Sequence, residues 1–217
     1  AVRPSNVMGH TKRLAEVILQ GIVNEDLIEI KNNKGIYQKY KQETNFSIVR
    51  FGNVLESSGS VVPLFRNQIR KGGPITITHK DVTRYFMTTK EAAQLVILAG
   101  SFKKQCDPAS IYLLDMGEPI KIISLAKKMV IQNGYTIKDE FNKTGDIEIK
   151  IIGLRPGEKI FEELLISGKP QKTQYEKIYK SYEPFKKWPE IYQSLEDIKK
   201  SLNEDTDFKL LLKNIIS

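Results

Sequence analysis

Phe46-Ser47-Ile48-Val49-Arg50-Phe51-Gly52-Asn53-Val54, continued by Leu55-Glu56-Ser57-Ser58-Gly59-Ser60-Val61-Val62-Pro63, is the stretch that decides the fold. Phe46 to Phe51 reads as a short strand. It runs into Gly52-Asn53 and then a Ser/Gly-rich turn, Ser57 to Ser60. Helical spacing resumes at Val61, continues to Ile69 and stops at Gly72-Gly73-Pro74. A strand that ends in a Gly/Ser turn before a helix is where open α/β sheets bind ligands.

The alternation extends in both directions. Upstream, Val7, Met8, Leu14, Ala15, Val17, Ile18 and Ile22 predict an amphipathic helix over Arg3 to Gly21, with Pro4 in its first turn and Gly21 at its end. Residues 24–45 are polar and Lys/Asn-rich and read as a loop or peripheral insertion. Downstream, strands are expected at 75–78, 84–87, 111–114 and 147–152. Helices are expected at 90–102, capped by Thr88 or Thr89 and apolar enough to be buried, at 120–134 and at 158–166. Past Gly168 the composition shifts to Lys, Tyr and Pro, followed by two terminal helices at 188–202 and 205–216. Strands alternating with helices give an α/β class.

The 217 residues suffice for one large domain or a domain with a subdomain. A chain of that length buries roughly 70% of its unfolded surface and needs no disulfide or metal to hold a core. The single cysteine, Cys106, has no intramolecular partner, and a reducing compartment is expected. With two histidines, no Cys/His zinc site and no Ser/His/Asp order are present; His10 reads as a surface residue and no metal is expected. No apolar run approaches the roughly 20 residues that span a bilayer. The net charge is +8, but only seven of the 34 basic residues are arginine. Nucleic-acid readers favour the bidentate fork of Arg, so scattered lysine on a solvated surface is the expectation, and no nucleic-acid partner. No phosphate loop of the GxxxxGK[ST] type occurs.

Four motifs in order carry the chemistry. They are Ser5-Asn6-Val7-Met8-Gly9-His10-Thr11-Lys12-Arg13, then Arg50 to Val54 with Ser58 to Pro63, then Thr83-Arg84-Tyr85-Phe86, then Gly153-Leu154-Arg155-Pro156-Gly157-Glu158-Lys159. As a set they resemble the C-terminal half of bacterial polysaccharide-biosynthesis nucleotide-sugar 4,6-dehydratases, of the extended short-chain dehydrogenase/reductase superfamily. The resemblance covers about residues 1–166. It implies residues 1–168 as the last part of a Rossmann-like sheet plus a substrate-binding subdomain, and 169–217 as a Lys-rich helical tail.

The first motif stands where the superfamily has Tyr-x-x-x-Lys, whose spacing puts both side chains on one helix face. Lys12 matches the lysine that holds the nicotinamide ribose. Met8 occupies the tyrosine position, as it often does in the group resembled. A thioether cannot exchange a proton, so the acid/base groups are expected upstream of Ala1. By itself Met8 would read as a core residue. By resemblance, the Phe51-Gly52 backbone lines the nicotinamide and Asn53 donates to the phosphate. Ser58, Ser60 and the Val62 backbone face the nucleotide, and Thr76 and Thr78 lie near the uracil. Arg84 and Arg155 clamp the diphosphate, and Glu158 accepts from ribose hydroxyls. Glu56 stands where relatives often have a small residue.

The resemblance implies NAD or NADP as cofactor, although the Gly-rich motif that binds most of it is absent from this chain. The substrate implied is a UDP-sugar of the UDP-N-acetylglucosamine type, oxidised at C4, deprotonated at C5 and dehydrated at C6. The rivals are a 4-epimerase using the same first step and a non-catalytic sugar-nucleotide module. The isolated chain is expected not to turn over substrate. It is expected to associate with the N-terminal half of the same protein or with itself as a homo-oligomer. A cytoplasmic location is implied, with upstream helices anchoring many full-length relatives to the inner membrane.

Overall fold

Asn6 starts the first helix. Its side chain accepts a 2.8 Å hydrogen bond from the Gly9 backbone N–H, the N-cap contact that satisfies an otherwise unpaired donor. This helix, α1, runs Val7–Val23, past the glycine expected to end it. Gly21 has a packing reason instead: a Cβ there would collide with Ile191.

The computed structural model describes residues 2–102, 110–166, 169–201, 212 and 214–216. Cys106 and most of the expected helix 205–216 lie outside them. After α1 come β1 (Leu27–Lys31), β2 (Tyr37–Lys41), β3 (Ile48–Arg50), β4 (Asn53–Val54) and α2 (Val61–Arg70). Then follow β5 (Ile75–Ile77), β6 (Thr83–Arg84), β7 (Phe86–Met87), α3 (Thr89–Gly100), β8 (Ser110–Leu114) and β9 (Ile120–Lys121). The last are α4 (Ile122–Gln132), β10 (Ile137–Lys138), β11 (Ile147–Ile151), β12 (Gln171–Lys172), β13 (Ile178–Tyr182) and α5 (Trp188–Ser201). They divide into two units: Ala1–Arg50, Val96–Leu114 and Leu164–Ser217 in the first, Phe51–Leu95 and Asp115–Glu163 in the second.

In the first unit a four-stranded sheet has the order β12-β13-β8-β3. β3 runs parallel to β8, with Ile48 opposite Ile111, while β13 is antiparallel to β8, with Ile178 opposite Leu114. All five residues of β8 are buried, as expected of a central strand covered on both faces. Ile48, Ile111 and Leu113 pack with Leu19, Leu164, Leu165 and Tyr179. A second cluster joins α1, α5 and the β1–β2 hairpin through Val17, Trp188, Ile191, Ile28 and Ile30. The hairpin is tied down further: Trp188 Nε1 donates to the Glu29 carbonyl at 3.0 Å, and the Lys31 N–H donates to the Tyr192 hydroxyl at 2.8 Å.

The second unit is built on a parallel three-stranded sheet, β10-β11-β5, packed against α2 and α4. Phe65, Ile69, Ile75, Ile77, Ala126, Val130 and Ile147 form its core. Short ladders pair β4 with β7 and β6 with β9.

Several expectations are corrected. Within residues 24–45, 27–41 form a hairpin, because Ile28 and Ile30 alternate inward while Leu27, Glu29 and Lys31 face out. Residues 171–182 supply two strands, so the segment expected as a helical tail begins as sheet. α3 is not wholly buried: Ala92, Leu95 and Ala99 are covered, but Ile97 is 73% exposed. Residues 158–166 are not helical. The Lys159 and Ile160 carbonyls accept from the Arg84 guanidinium, at 2.8 and 3.1 Å, instead of from a helical ladder. The Ile160 carbonyl also accepts from the Thr83 N–H at 3.1 Å. Thr88 is the residue that caps α3, its Oγ1 accepting from the Glu91 N–H at 3.2 Å.

Candidate functional site

The expected site residues fall in both units. In the first unit, α1 presents Met8 and Lys12, four residues apart and both exposed. Met8 is 64% exposed, which removes the core explanation for it. The start of α1 is firmly built. Gly9 packs against Pro4, where a Cβ would come within 2.9 Å of the proline Cβ. The Thr11 hydroxyl donates to the Met8 carbonyl at 2.9 Å, and His10 Nδ1 lies 2.6 Å from the Asn6 carbonyl. His10 thus belongs to the helix start.

Immediately behind Lys12 lies a group that sequence reasoning missed. Arg13, Arg50 and Glu183 are buried, and Glu16 is nearly so. Arg50 Nε and Nη2 donate to the two Glu16 oxygens, each at 2.9 Å. Its Nη1 and Nη2 donate to the two Glu183 oxygens at 2.7 and 2.9 Å. The remaining Nη1 bond goes to the Leu164 carbonyl at 3.2 Å. Burial raises the Glu16 carboxyl, but hydrogen bonding and positive charge, from Arg50 above all, outweigh it and lower its pKa to about 2. Two arginines inside the motifs of an arginine-poor chain were the available signal.

In the second unit the structure gathers Gly52, Asn53, Thr78, Arg84, Arg155 and Glu158 about one polar knot. The Thr78 hydroxyl donates to Glu158 Oε1 at 2.8 Å, and the Arg155 backbone N–H donates to Glu158 Oε2 at 3.1 Å. The Arg155 side chain itself is exposed. Arg84 is turned inward. It donates to the carbonyls of Thr83, Lys159 and Ile160 and lies 3.6 Å from both Glu158 and Glu162. Glu162 was not anticipated. Burial pushes its carboxyl up despite the pull of Arg84. Gly52 is hemmed in: a Cβ would meet the Tyr85 carbonyl at 3.0 Å and Glu162 Oε2 at 3.2 Å. A side chain there would have to push these neighbours aside by a few tenths of an ångström. The Asn53 N–H donates to the Tyr85 carbonyl at 2.8 Å, which leaves the Asn53 side chain to act elsewhere.

The other positions lie around α2. Ser60 precedes its first turn without a side-chain cap, and Ser60 Oγ is buried without a hydrogen-bond partner among the described residues. A helix N-terminus with open N–H groups favours an anion. Ser58 is exposed in the preceding turn, and Val62 is buried, so that Val62 offers a ligand only its backbone. Phe51 is half-buried. Thr76 is held from both sides by Gln68, which donates to its hydroxyl at 2.7 Å and accepts from its N–H at 3.1 Å. Glu56 has a left-handed φ of 63° and an exposed 2.6 Å ion pair with Arg66. A small residue suits such a position better than a branched or long one.

Among the described residues, no group of three or more His, Cys, Asp or Glu side chains could hold a metal ion. No helix among them is long and apolar enough to cross a membrane.

The family model described as polysaccharide biosynthesis protein matches residues 1–183. The chain belongs to this family. The polysaccharide biosynthesis match ends on Glu183, so it takes in both strands that follow residue 168. The chain is 48% identical over 182 residues to the capsular polysaccharide biosynthesis protein CapD of Staphylococcus aureus, covering 83% of this chain and 26% of that protein. It is 32% identical over 173 residues to a UDP-glucose 4-epimerase of Rickettsia rickettsii, covering 80% of this chain and 43% of the other. The solved structure of Pen from Bacillus thuringiensis superposes with a TM-score of 0.63 at 30% identity, over 86% of this chain and 50% of that one. The chain therefore spans half or less of these relatives. Its α/β architecture is that of the extended short-chain dehydrogenase/reductase fold of nucleotide-sugar-modifying enzymes.

Proposed function

We propose that this chain is the substrate-binding part of an NAD(P)-dependent nucleotide-sugar 4,6-dehydratase that makes a precursor for surface polysaccharide. The observation that carries it is Met8, exposed on the same face of α1 as Lys12. At the position where the superfamily has a tyrosine, a thioether leaves this face able to bind but not to exchange protons. Proton transfer at C5 and C6, which a dehydration needs, then falls to groups other than Met8.

The residues present suit a nicotinamide cofactor. Lys12 is exposed on α1, where its ammonium can donate to ribose hydroxyls. When bound, the cofactor supplies hydride acceptance and return. Lys12 would hold its ribose hydroxyls. Asn53, Ser60 and the open N–H groups of α2 would bind the sugar nucleotide, with Arg155 neutralising the diphosphate. Thr78 and Glu158, already joined by a hydrogen bond, would take the nucleoside end. The UDP-sugar, the cofactor, association with the preceding half and homo-oligomer formation are all parts of this proposal.

The similarity to a UDP-glucose 4-epimerase favours a second reading, in which the product is an epimer. The full-length protein, incubated with UDP-N-acetylglucosamine and NAD(P), is expected to give a product lighter by one water. An isomer of unchanged mass would establish epimerisation. UDP binding with no product from any UDP-sugar would leave a non-catalytic module.

A further inference from the structure

Glu183 lies far along the chain from Lys12, in the segment whose composition departs from the rest. It is nonetheless the centre of the buried group behind Lys12, its carboxylate fully buried. Glu183 Oε1 accepts from Arg50 Nη1 and from the Ile166 N–H at 3.0 Å. Glu183 Oε2 accepts from Arg50 Nη2 and, at 3.3 Å, from Arg13 Nη1. Arg13 Nη1 also donates to Glu16 at 3.1 Å. The group therefore holds two positive and two negative side chains, drawn from α1, the end of β3 and the residue after β13.

We infer that Glu183 is a positioning residue for Lys12, a proposal that rests on Lys12 binding the cofactor. Arg13 follows Lys12 directly, and successive residues on a helix are about 100° apart. Fixing Arg13 inward on Glu183 fixes the rotation of α1, and with it the direction in which Met8 and Lys12 project. The same carboxylate fixes Arg50, after which the chain passes directly to Phe51 and Gly52. Arg13 is buried, with its guanidinium facing both carboxylates. Two ion-paired carboxylates hold it there against the cost of burying a guanidinium.

The experiment uses the full-length protein with two variants, Glu183→Gln and the double variant Arg13→Met/Glu183→Gln. The single variant leaves an unbalanced buried arginine and is expected to lower the Tm. The double variant restores charge balance, with Arg50 still on Glu16, and is expected to recover most of that loss. Replacing a buried pair by neutral groups of similar volume is often tolerated where breaking it is not. Affinity for NAD(P) is expected to fall at least tenfold in both variants, and affinity for UDP, whose proposed contacts all lie in the second unit, to stay within twofold. A double variant that regains stability and binds NAD(P) as the wild type does would show that the group only supports the fold, and would overturn the inference. A parallel loss of UDP affinity would overturn it too. Wild-type protein that binds UDP-sugar but no NAD(P) would instead remove the assignment of Lys12, and this inference with it.

Discussion

The two arginines of the second unit differ in what their loss should do. Arg155 projects into solvent and only its backbone is engaged by Glu158. Arg155→Met is expected to weaken UDP binding by about 10- to 100-fold, the scale of one charge-assisted contact at 1.5–3 kcal/mol, with Tm unchanged. Calorimetric titration and a melting curve together check both halves of that expectation. Arg84 holds three backbone carbonyls and lies between two carboxylates. Arg84→Met should cost about 2–3 kcal/mol of stability, because it strands those acceptors, and denaturant unfolding would show it. Retained stability in Arg84→Met would mean that the side chain sits elsewhere, free to meet a diphosphate.

At the scale of elements, α1 and α5 cross where Gly21 meets Ile191. Gly21→Val is expected to destabilise by about 1–3 kcal/mol through overpacking, read as a shift of the urea midpoint. A null result would show that α5 can move aside. Most elements were legible from periodicity: α1, α2, α4, α5, β5, β8 and β11 stand within a few residues of their expected places. Two of the failures come from long-range contacts with no local pattern. The segment 158–166 looks helical by its apolar spacing, yet Arg84 takes its carbonyls. β13 was hidden because Lys180 and Tyr182 occupy a strand whose pairing partner, β8, lies more than sixty residues earlier. For the site, motif residues such as Lys12, Arg155 and Glu158 were legible because type and spacing identify them. Glu162 and Glu183 were not, since a lone Glu in a charged chain carries no signal until the fold brings it to an arginine.

For the whole molecule, strong acid should weaken the fold through the buried ionic group. The folded Glu16 pKa of about 2 lies below its ordinary value of 4.5. Its contribution to stability is therefore complete above about pH 4.5 and is lost as pH falls from there through 2. The shift corresponds to at most about 3 kcal/mol after allowance for solvent screening. Glu162 works in the opposite sense: its raised pKa means that ionisation at higher pH weakens the fold, and protonation relieves it. Stability measured from pH 6 down to pH 2.5 is expected to fall steeply near the low end in the wild type and less so in Glu16→Gln. Equal slopes would show that Glu16 is not the group responsible.

Trp188 is the chain's one tryptophan, and it is 7% exposed in the cluster that joins α1, α5 and the first hairpin. Indole emission shifts to longer wavelength when water reaches the ring. The fluorescence of these 217 residues on their own is thus an intrinsic optical probe of the Lys12-bearing unit, with no indole in the unit that holds Arg155 and Glu158. Far-ultraviolet circular dichroism sees both. Denaturation curves that coincide by the two probes would mean that the units melt as one cooperative body, and curves that separate would assign the more fragile half directly.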